Sequence, residues 1–480
     1  MNDRKGFGSN FGFLMAAVGS AVGLGNIWGF PNKMGANGGF PFLILYLALA
    51  LCCGVIIMLG ELALGRKTGH GAVGAYQSIS KRFKWLGWLG IAAAALIFSF
   101  YSALGGYCLR YVVVNFGNLI GAEFGTNGVG GADVFQGLLS QPDVSIAFAL
   151  AFMLITMLVV MSGVGGGIER VCSVGMPALF FILIICIIRS CTLPGAADGL
   201  KYMFVPGWAV ANGIIDEAPG FWKVLTAAGG QMFFSLSLGA GVMITYGSYL
   251  DKKQDLGKSA MIIVGMDTVV ALMAGLCVIP GRFALDPNGA LGGPELLFIT
   301  MQNVFDKMGP AGPVFGILFY LLVFFAAISS SISMLEVIVA HFCDKAREKG
   351  KGDRRKLYSA IAVVICAALC ALVCADGMGS NHISPAELLG LAGAKLPGWS
   401  TSWLGLFDSV AEGLLMPLGA LLMCLMISWE PKPDTLRQEI LLNGENRPWV
   451  YDFFRLCVKY ITPLCMLMIL YGQISDFFIV

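Results

Sequence analysis

Gly19-Ser20-Ala21-Val22-Gly23-Leu24-Gly25-Asn26, with Pro31 close behind, and Gln231-Met232-Phe233-Phe234-Ser235-Leu236-Ser237-Leu238-Gly239-Ala240-Gly241 are the two stretches on which the reading of this chain turns. Each lies inside a long apolar segment. Glycine in a helix interior costs about 1 kcal/mol relative to alanine, but it permits unwound backbone and close approach of a ligand. Either stretch alone also reads as a small-residue stripe for close helix packing. Together they say more, because they fall in the first and sixth apolar segments, at matching places in two five-helix halves. A pair of interrupted spans at corresponding positions points to a transport site at an inverted-repeat interface. The halves share no clear sequence identity, so the repeat rests on the breaks.

Around these breaks the composition is that of a membrane protein. Of 480 residues, 57% are hydrophobic and 12% charged; a soluble domain carries about twice that charge fraction. Ala149–Met161, Pro177–Ile188 and Val314–Ile328 contain no charged side chain. A helix needs about 20 apolar residues to cross the hydrocarbon core, where backbone groups must be satisfied internally, and these runs are too continuous for the alternation of barrel strands. The pattern predicts eleven helices, over 11–34, 40–64, 87–117, 144–162, 168–190, 222–250, 257–281, 311–342, 357–375, 403–428 and 450–474, with room for a short extra helix in 377–402. The loops sort by sign. Arg66-Lys67 with Lys81, Arg82 and Lys84, then Lys252-Lys253 and Lys258, then the seven basic residues from Lys345 to Lys356, then Lys432 and Arg437 form one set, whereas residues 120–143 contain no Lys or Arg. Basic loops are cytoplasmic, so the N-terminus is expected inside and, with an odd span count, the C-terminus outside, in a bacterial inner membrane. MNDRKGFG precedes no cleavage-site pattern and reads as retained.

Net charge of +2 argues against a nucleic-acid partner. The 14 cysteines lie mostly in apolar segments and behave there as small hydrophobes; Cys366, Cys370 and Cys374 share one helix face and read as packing. His70, His341 and His382 are scattered, with no zinc spacing. No convergent polar triad or metal motif is present, so an enzyme is not expected. Lys345 to Lys356 reads as a solvated loop in reach of anionic lipid. Glu61 and Glu336 are intramembrane carboxylates, read as structural hydrogen-bonding groups. At a helix break, N–H groups aim at an anion and freed carbonyls face a cation, which suits a zwitterion beside sodium. Both stretches supply hard oxygen ligands, as carbonyls, Asn26 and Ser235.

Ser20-Ala21-Val22-Gly23-Leu24-Gly25-Asn26-Ile27-Trp28 with Phe30-Pro31 resembles the first-helix signature of the neurotransmitter:sodium symporters. Asn37-Gly38-Gly39 with Pro41 and Tyr46, Glu61 with Gly65-Arg66, Gly167-Ile168-Glu169, Pro177, Thr192-Leu193-Pro194-Gly195, Phe233 to Gly239 and Ser329-Ser330-Ser331 match as well, so that the resemblance runs from about residue 4 to 475. It implies an all-α membrane protein of the LeuT type, about eleven transmembrane helices in a 5+5 inverted repeat (about 8–190 and 220–428) with helices 1 and 6 broken and an extra helix at 450–474, forming one transporter domain over 1–480. Eleven spans is a variant seen among bacterial members.

Carried over by position, the resemblance implies two sodium sites. The first would use the Ala21 carbonyl, Asn26, Ser235 and Asp267, completed by the substrate carboxylate. The second would use the carbonyls of Gly19, Val22 and Ala326 with the hydroxyls of Ser329 and Ser330. Ser20, Ala21, Gly23, Leu24 and Gly25 would surround the substrate, whose carboxylate would lie on the amides around Gly23, Leu24 and Gly25 and on the Tyr101 hydroxyl. Its side chain would face Ile97, Phe234, Ser237, Ala240 and Met334, with Ser235 and Ser330 alongside. Phe234 over Tyr101 would form the outer lid. Arg4 with Asp344, supported by Phe7, Ser248 and Tyr249, would close the cytoplasmic side.

Three positions set this chain apart. Asp267 lies in the apolar run Met261 to Pro280, where a carboxylate costs roughly 2.5–3.5 kcal/mol; placed beside sodium it would do the work of the anion bound by chloride-dependent relatives, so no chloride requirement is expected, and Tyr46 and Gln231 would turn their dipoles to it. Gly29 stands where the family usually has an arginine paired with the counterpart of Asp408, so the usual outer gate is not expected; Phe234, Tyr101 and Trp28 would take over. Ala240 stands where relatives carrying small substrates often have phenylalanine, and with the adaptable Met334 it predicts a bulky neutral substrate. The expected function is sodium-coupled symport of a neutral, hydrophobic or aromatic amino acid by alternating access, as a monomer or weak dimer in lipid. A sodium-dependent sensor without flux, and a proton-coupled amino-acid carrier, are the alternatives; the second would lose the Ser329-Ser330 site, which is intact.

Overall fold

The structure, a computed structural model, describes residues 6–126, 128–286, 295–391, 398–429, 436–441 and 448–478, with side chains to Ser475. Arg4 and Lys432, named above, lie outside them. Among the described residues every regular element is helical. The principal helices are α1 (Asn10–Ala21), α2 (Gly25–Ala36), α3 (Phe40–Thr68), α4 (Lys81–Ile120), α5 (Pro142–Met161), α6 (Val164–Cys191), α7 (Phe221–Leu236), α8 (Val242–Gly247), α9 (Leu256–Leu285), α10 (Gly309–Glu348), α11 (Arg355–Gly379), α12 (Trp403–Trp429) and α13 (Pro448–Ser475). Nine of the described helices are long and apolar enough to cross a membrane. The pair α1 and α2, bent by 46° at the first glycine stretch, makes a tenth. The pair α7 and α8, split at the second stretch, falls on the remaining expected segment.

Hydropathy stopped short of the ends of the longest helices. α4 and α10 each run 40 residues, about 60 Å at the helical rise, twice the hydrocarbon thickness. Their ends carry Lys81, Arg82, Lys345 and Arg347, which favour helix but not apolar surroundings. The 377–402 region contributes the short helix Pro385–Leu388, opened by a capping box of Ser384 and Glu387.

α4 and α10 pack along each other, and α1 lies against α6, α9 and α10. At its start, Ser9 caps α1 by accepting the Gly12 amide. Glu169 on α6 accepts from the Gly8 amide at 2.6 Å and the Ser9 hydroxyl at 2.8 Å, a carboxylate where the helix dipole favours one.

The breaks differ in backbone. α1 ends because Val22 turns extended (φ −75°, ψ 102°), and α2 opens with a π-helical turn, Gly25–Gly29. α7 ends at Ser237 (φ +53°), followed by Gly239 (φ +81°) and Gly241 (φ +74°). A side chain at Gly239 would put its Cβ 2.1 Å from the Met416 carbonyl oxygen, so glycine is required there twice over, by conformation and by space.

Candidate functional site at the two helix breaks

Where α1 stops, its last carbonyls lose their helical partners. The Gly23 amide turns to the Asn26 Oδ1 at 2.9 Å, and the Leu24 amide donates to the Tyr101 hydroxyl at 2.6 Å. The released carbonyls face α10. Ser330 Oγ lies 3.4 Å from the Gly19 oxygen, 3.1 Å from that of Ser20 and 3.5 Å from that of Val22. Ser329 Oγ lies 3.4 Å from the Val22 oxygen, 3.1 Å from that of Phe325 and 3.0 Å from that of Ala326. The five groups named for the second sodium site therefore face one another. Each hydroxyl has one proton to give, so the nest holds more lone pairs than protons. Two oxygens at right angles around a hard cation of calcium's size sit about 3.4 Å apart, and the spacing found here is of that order. The donor set fits a small hard cation.

Asp267 on α9 is buried beside the same break. It accepts from Asn26 Nδ2 at 2.7 Å, from Ser235 Oγ at 3.0 Å and from the Tyr46 hydroxyl at 3.2 Å; Asn26 Nδ2 also reaches its backbone oxygen at 3.0 Å. Asn26, Ser235 and Asp267 thus meet, and Ala21 is the last residue of α1. Gln231 departs from expectation. Its Nε2 donates to the Gly25 oxygen at 2.6 Å and not to Asp267, a second donor on an oxygen that also accepts the Phe30 amide, while Asp267 already has three.

The residues expected to face the substrate come from α1, α4, the second break and α10. The Tyr101 and Phe234 rings stand 6.5 Å apart at 55°, and the Phe234 ring also closes on Gly25. A Cβ at Gly23 would lie 2.3 Å from Ser330 Oγ and 2.4 Å from the Tyr101 hydroxyl. Ser237 Oγ donates to the Ser20 oxygen at 3.1 Å. Ile97, Ala240 and Met334 are buried, and none of these side chains is charged. Sequence reasoning missed Ser333, whose hydroxyl accepts from Ser20 Oγ at 2.7 Å. Its position four residues after Ser329 puts it on the same helix face, a signal that was there to read.

The second break is met by a different group. Glu61 on α3, buried, accepts the Gly239 amide at 2.7 Å and faces the amides of Met243 and Ile244 at the start of α8.

The ends are held by ion pairs, not all of them the expected ones. Asp344 accepts the Gly71 amide at 3.0 Å and lies 3.7 Å from Arg347. Phe7 packs edge-on against Phe13, Tyr246 and Tyr249, and Ser248 donates to the Thr245 oxygen. The Tyr249 hydroxyl goes to Glu336 at 2.5 Å, and Arg355 grips the same carboxylate with both nitrogens at 2.5 and 3.0 Å; Glu336 is the hub of this end. Near it Glu439 joins Arg66 at 2.8 Å and Lys252 at 2.6 Å. Burial pushes the Glu439 carboxyl up, but the two cations outweigh it and hold it below the usual range.

At the opposite end an ion pair does form despite Gly29. Lys33 on α2 bonds Glu412 on α12, each four residues beyond Gly29 and Asp408, and Asp408 lies beside both. The place beside Gly29 is taken: a Cβ there would meet Gln231 Oε1 at 2.9 Å.

The sodium:neurotransmitter symporter family model matches residues 4–127 and 132–478. The chain is 36% identical over 477 residues to the uncharacterized sodium-dependent transporter YhdH of Bacillus subtilis, covering 97% of each, and 29% identical over 495 residues to an uncharacterized sodium-dependent transporter of Methanocaldococcus jannaschii, covering 99% of this chain and 91% of the other. Its structure matches the crystal structure of MhsT in complex with L-phenylalanine with a TM-score of 0.83, at 33% identity, over 98% of this chain and 100% of MhsT. Nine membrane-length apolar helices among the described residues, a bent pair that makes a tenth, and a family match over nearly every residue lead to one conclusion: the chain is an integral membrane protein that belongs to the sodium:neurotransmitter symporter family.

Proposed function

We propose that this protein is a sodium-coupled symporter of a neutral, bulky hydrophobic or aromatic amino acid, independent of chloride and working by alternating access. The observation that carries the reading is the nest of five oxygens from Gly19, Val22, Ala326, Ser329 and Ser330 at the first break. The meeting of Asn26, Ser235 and Asp267 supports a first sodium site with the Ala21 carbonyl. Asp267 supplies the negative charge for which other carriers borrow chloride. The substrate carboxylate would take the amides around Gly23 to Gly25 and the Tyr101 hydroxyl, whose bond to Leu24 holds that loop ready. Its side chain would lie among Ile97, Phe234, Ser237, Ala240 and Met334, and the phenylalanine bound to MhsT favours a large one. Lys33 and Glu412 close the outer side, and Glu336, Arg355 and Tyr249 the cytoplasmic side. The N-terminus lies inside and the C-terminus outside a bacterial inner membrane, and the two repeats span about 8–190 and 220–428.

Two sodium ions suffice energetically. At about 100 mV each charge contributes roughly 2.3 kcal/mol, and a tenfold gradient adds about 1.4 kcal/mol per ion. Together they supply roughly 7 kcal/mol, enough for about 10⁵-fold accumulation at perfect coupling.

The test is uptake of labelled amino acids into proteoliposomes, with and without an inward sodium gradient, in chloride-free buffer. Accumulation of Trp, Tyr, Phe, Leu or Met is expected. Uptake of glycine or alanine alone would remove the argument from Ala240, sodium-dependent binding without uptake would make the protein a sensor, and the absence of both binding and uptake of any amino acid would refute the reading. Asp267→Asn should lower chloride-free uptake by about 100-fold or more, since stripping a buried charge from its partners costs about 3–5 kcal/mol, and added chloride should restore part of it.

A further inference from the structure

α5 and α6 are the two least buried of the membrane-crossing helices, with 33% and 28% of their apolar windows inside the protein. Between them and α10 lies a crevice of about 410 Å³. Its walls are apolar, from Ile155 and Val159 on α5, Val174 on α6, and Phe324 and Phe325 on α10. Val174 and Ile155 are exposed, so the opening is on the lipid side. One cation stands at its rim. Arg170, just after the π-helical first turn of α6, is exposed and enters no ion pair among the described residues, while its neighbour Glu169 is turned to Gly8 and Ser9. From Arg170 to Ala178 the crevice follows α6 for about 12 Å at the helical rise.

The floor of the crevice is the wall of the oxygen nest. Cys172, Met176 and Ser329 line it, and the same three crowd Gly19: a Cβ there would lie 3.2 Å from Met176 Sδ, 3.2 Å from Ser329 Cβ and 3.4 Å from Cys172 Sγ. Gly19 and Ser329 each contribute an oxygen to the nest. Whatever fills the crevice is one side-chain layer from those oxygens.

We propose that the crevice binds an acyl chain of an anionic phospholipid, with its phosphate on Arg170, and that this lipid sets the packing of Gly19 and Ser329 and hence the affinity of the nest for sodium. An apolar slot with a single basic rim residue, next to a cytoplasmic loop, has the chemistry of an anionic headgroup site. The sodium half of the proposal rests on the function proposed above; the lipid half does not.

Delipidated protein would be titrated with phosphatidylglycerol or phosphatidylcholine and read by native mass spectrometry. The wild type should take up one phosphatidylglycerol at about fivefold lower concentration than phosphatidylcholine, the effect of one basic side chain at an anionic headgroup. Arg170→Gln should erase that preference. Gly175→Leu should remove the adduct; a Cβ at Gly175 meets nothing within 4 Å, so this variant fills the slot without a clash and should keep its melting temperature. Equal uptake of the two lipids, or an adduct that survives Gly175→Leu, overturns the site. In proteoliposomes, the sodium concentration giving half-maximal thermal stabilisation should differ with and without phosphatidylglycerol in the wild type and be indifferent to it in Gly175→Leu. A wild type equally indifferent overturns the coupling. No sodium effect in any lipid overturns the sodium reading beneath it, while the adducts still decide the lipid site.

Discussion

The two helix breaks face the same problem and solve it with different chemistry. At the first, the freed groups are met by neutral partners: Ser330 and Ser329 over carbonyls, Tyr101 and Asn26 on amides. At the second, the Gly239 amide is met by the buried carboxylate of Glu61, and the backbone is locked by positive φ at Ser237, Gly239 and Gly241. A neutral hydroxyl can turn its proton away and offer its oxygen to a cation; a carboxylate on an amide has no such alternative. The first break is built for exchange and the second for permanence.

That contrast is open to attack in order of effect. Gly239→Ala should be the most damaging change, because positive φ costs a non-glycine residue about 1–3 kcal/mol and its Cβ would overlap the Met416 carbonyl; we expect little folded protein by size-exclusion chromatography. Glu61→Leu should lower stability by about 1–3 kcal/mol, the penalty of a stranded buried amide, with the same drop in melting temperature whether or not sodium is present. A drop that sodium cancels would show that the second break also exchanges. Ser329→Ala and Ser330→Ala should act mainly through the ion, raising the sodium half-saturation about tenfold, or 1.4 kcal/mol, on top of a sodium-free stability loss of about 1 kcal/mol for each buried hydroxyl's lost hydrogen bond. The smallest effect should come from the fixed clasp at Glu439. Its carboxyl is held below the usual range, so the clasp contributes fully above the unfolded value of about 4.3 and fades as pH falls through the lower folded value. Glu439→Gln should lower the melting temperature slightly at neutral pH, where the clasp is intact, and flatten the acid limb, so that the two curves converge as pH falls through the folded value.

Both breaks were legible because glycine clusters are conspicuous in apolar sequence, and the span pattern because hydrocarbon demands continuous apolar helix. Convergence of Ser329 and Ser330 on residues more than 300 positions earlier has no local signal; only family resemblance pointed there. Partner choice was least legible. Lys33 and Glu412 are 379 residues apart, and nothing in either segment says that a lysine four residues beyond Gly29 would find a carboxylate four beyond Asp408. Gln231 was placed in the right neighbourhood but given the wrong partner, because competition among nearby acceptors is decided by tenths of an ångström that a sequence does not carry.

Asp267 has an electrical consequence. A carboxylate bonded into α9 stays with the protein when the outer side opens, whereas a borrowed chloride would travel inward with the cargo and cancel one positive charge. With two sodium ions and a zwitterion as cargo, as proposed above, the loaded step would move two net charges, and current per substrate would be the same with or without chloride. The membrane voltage would then act on this carrier with twice the leverage it has on one that carries chloride along.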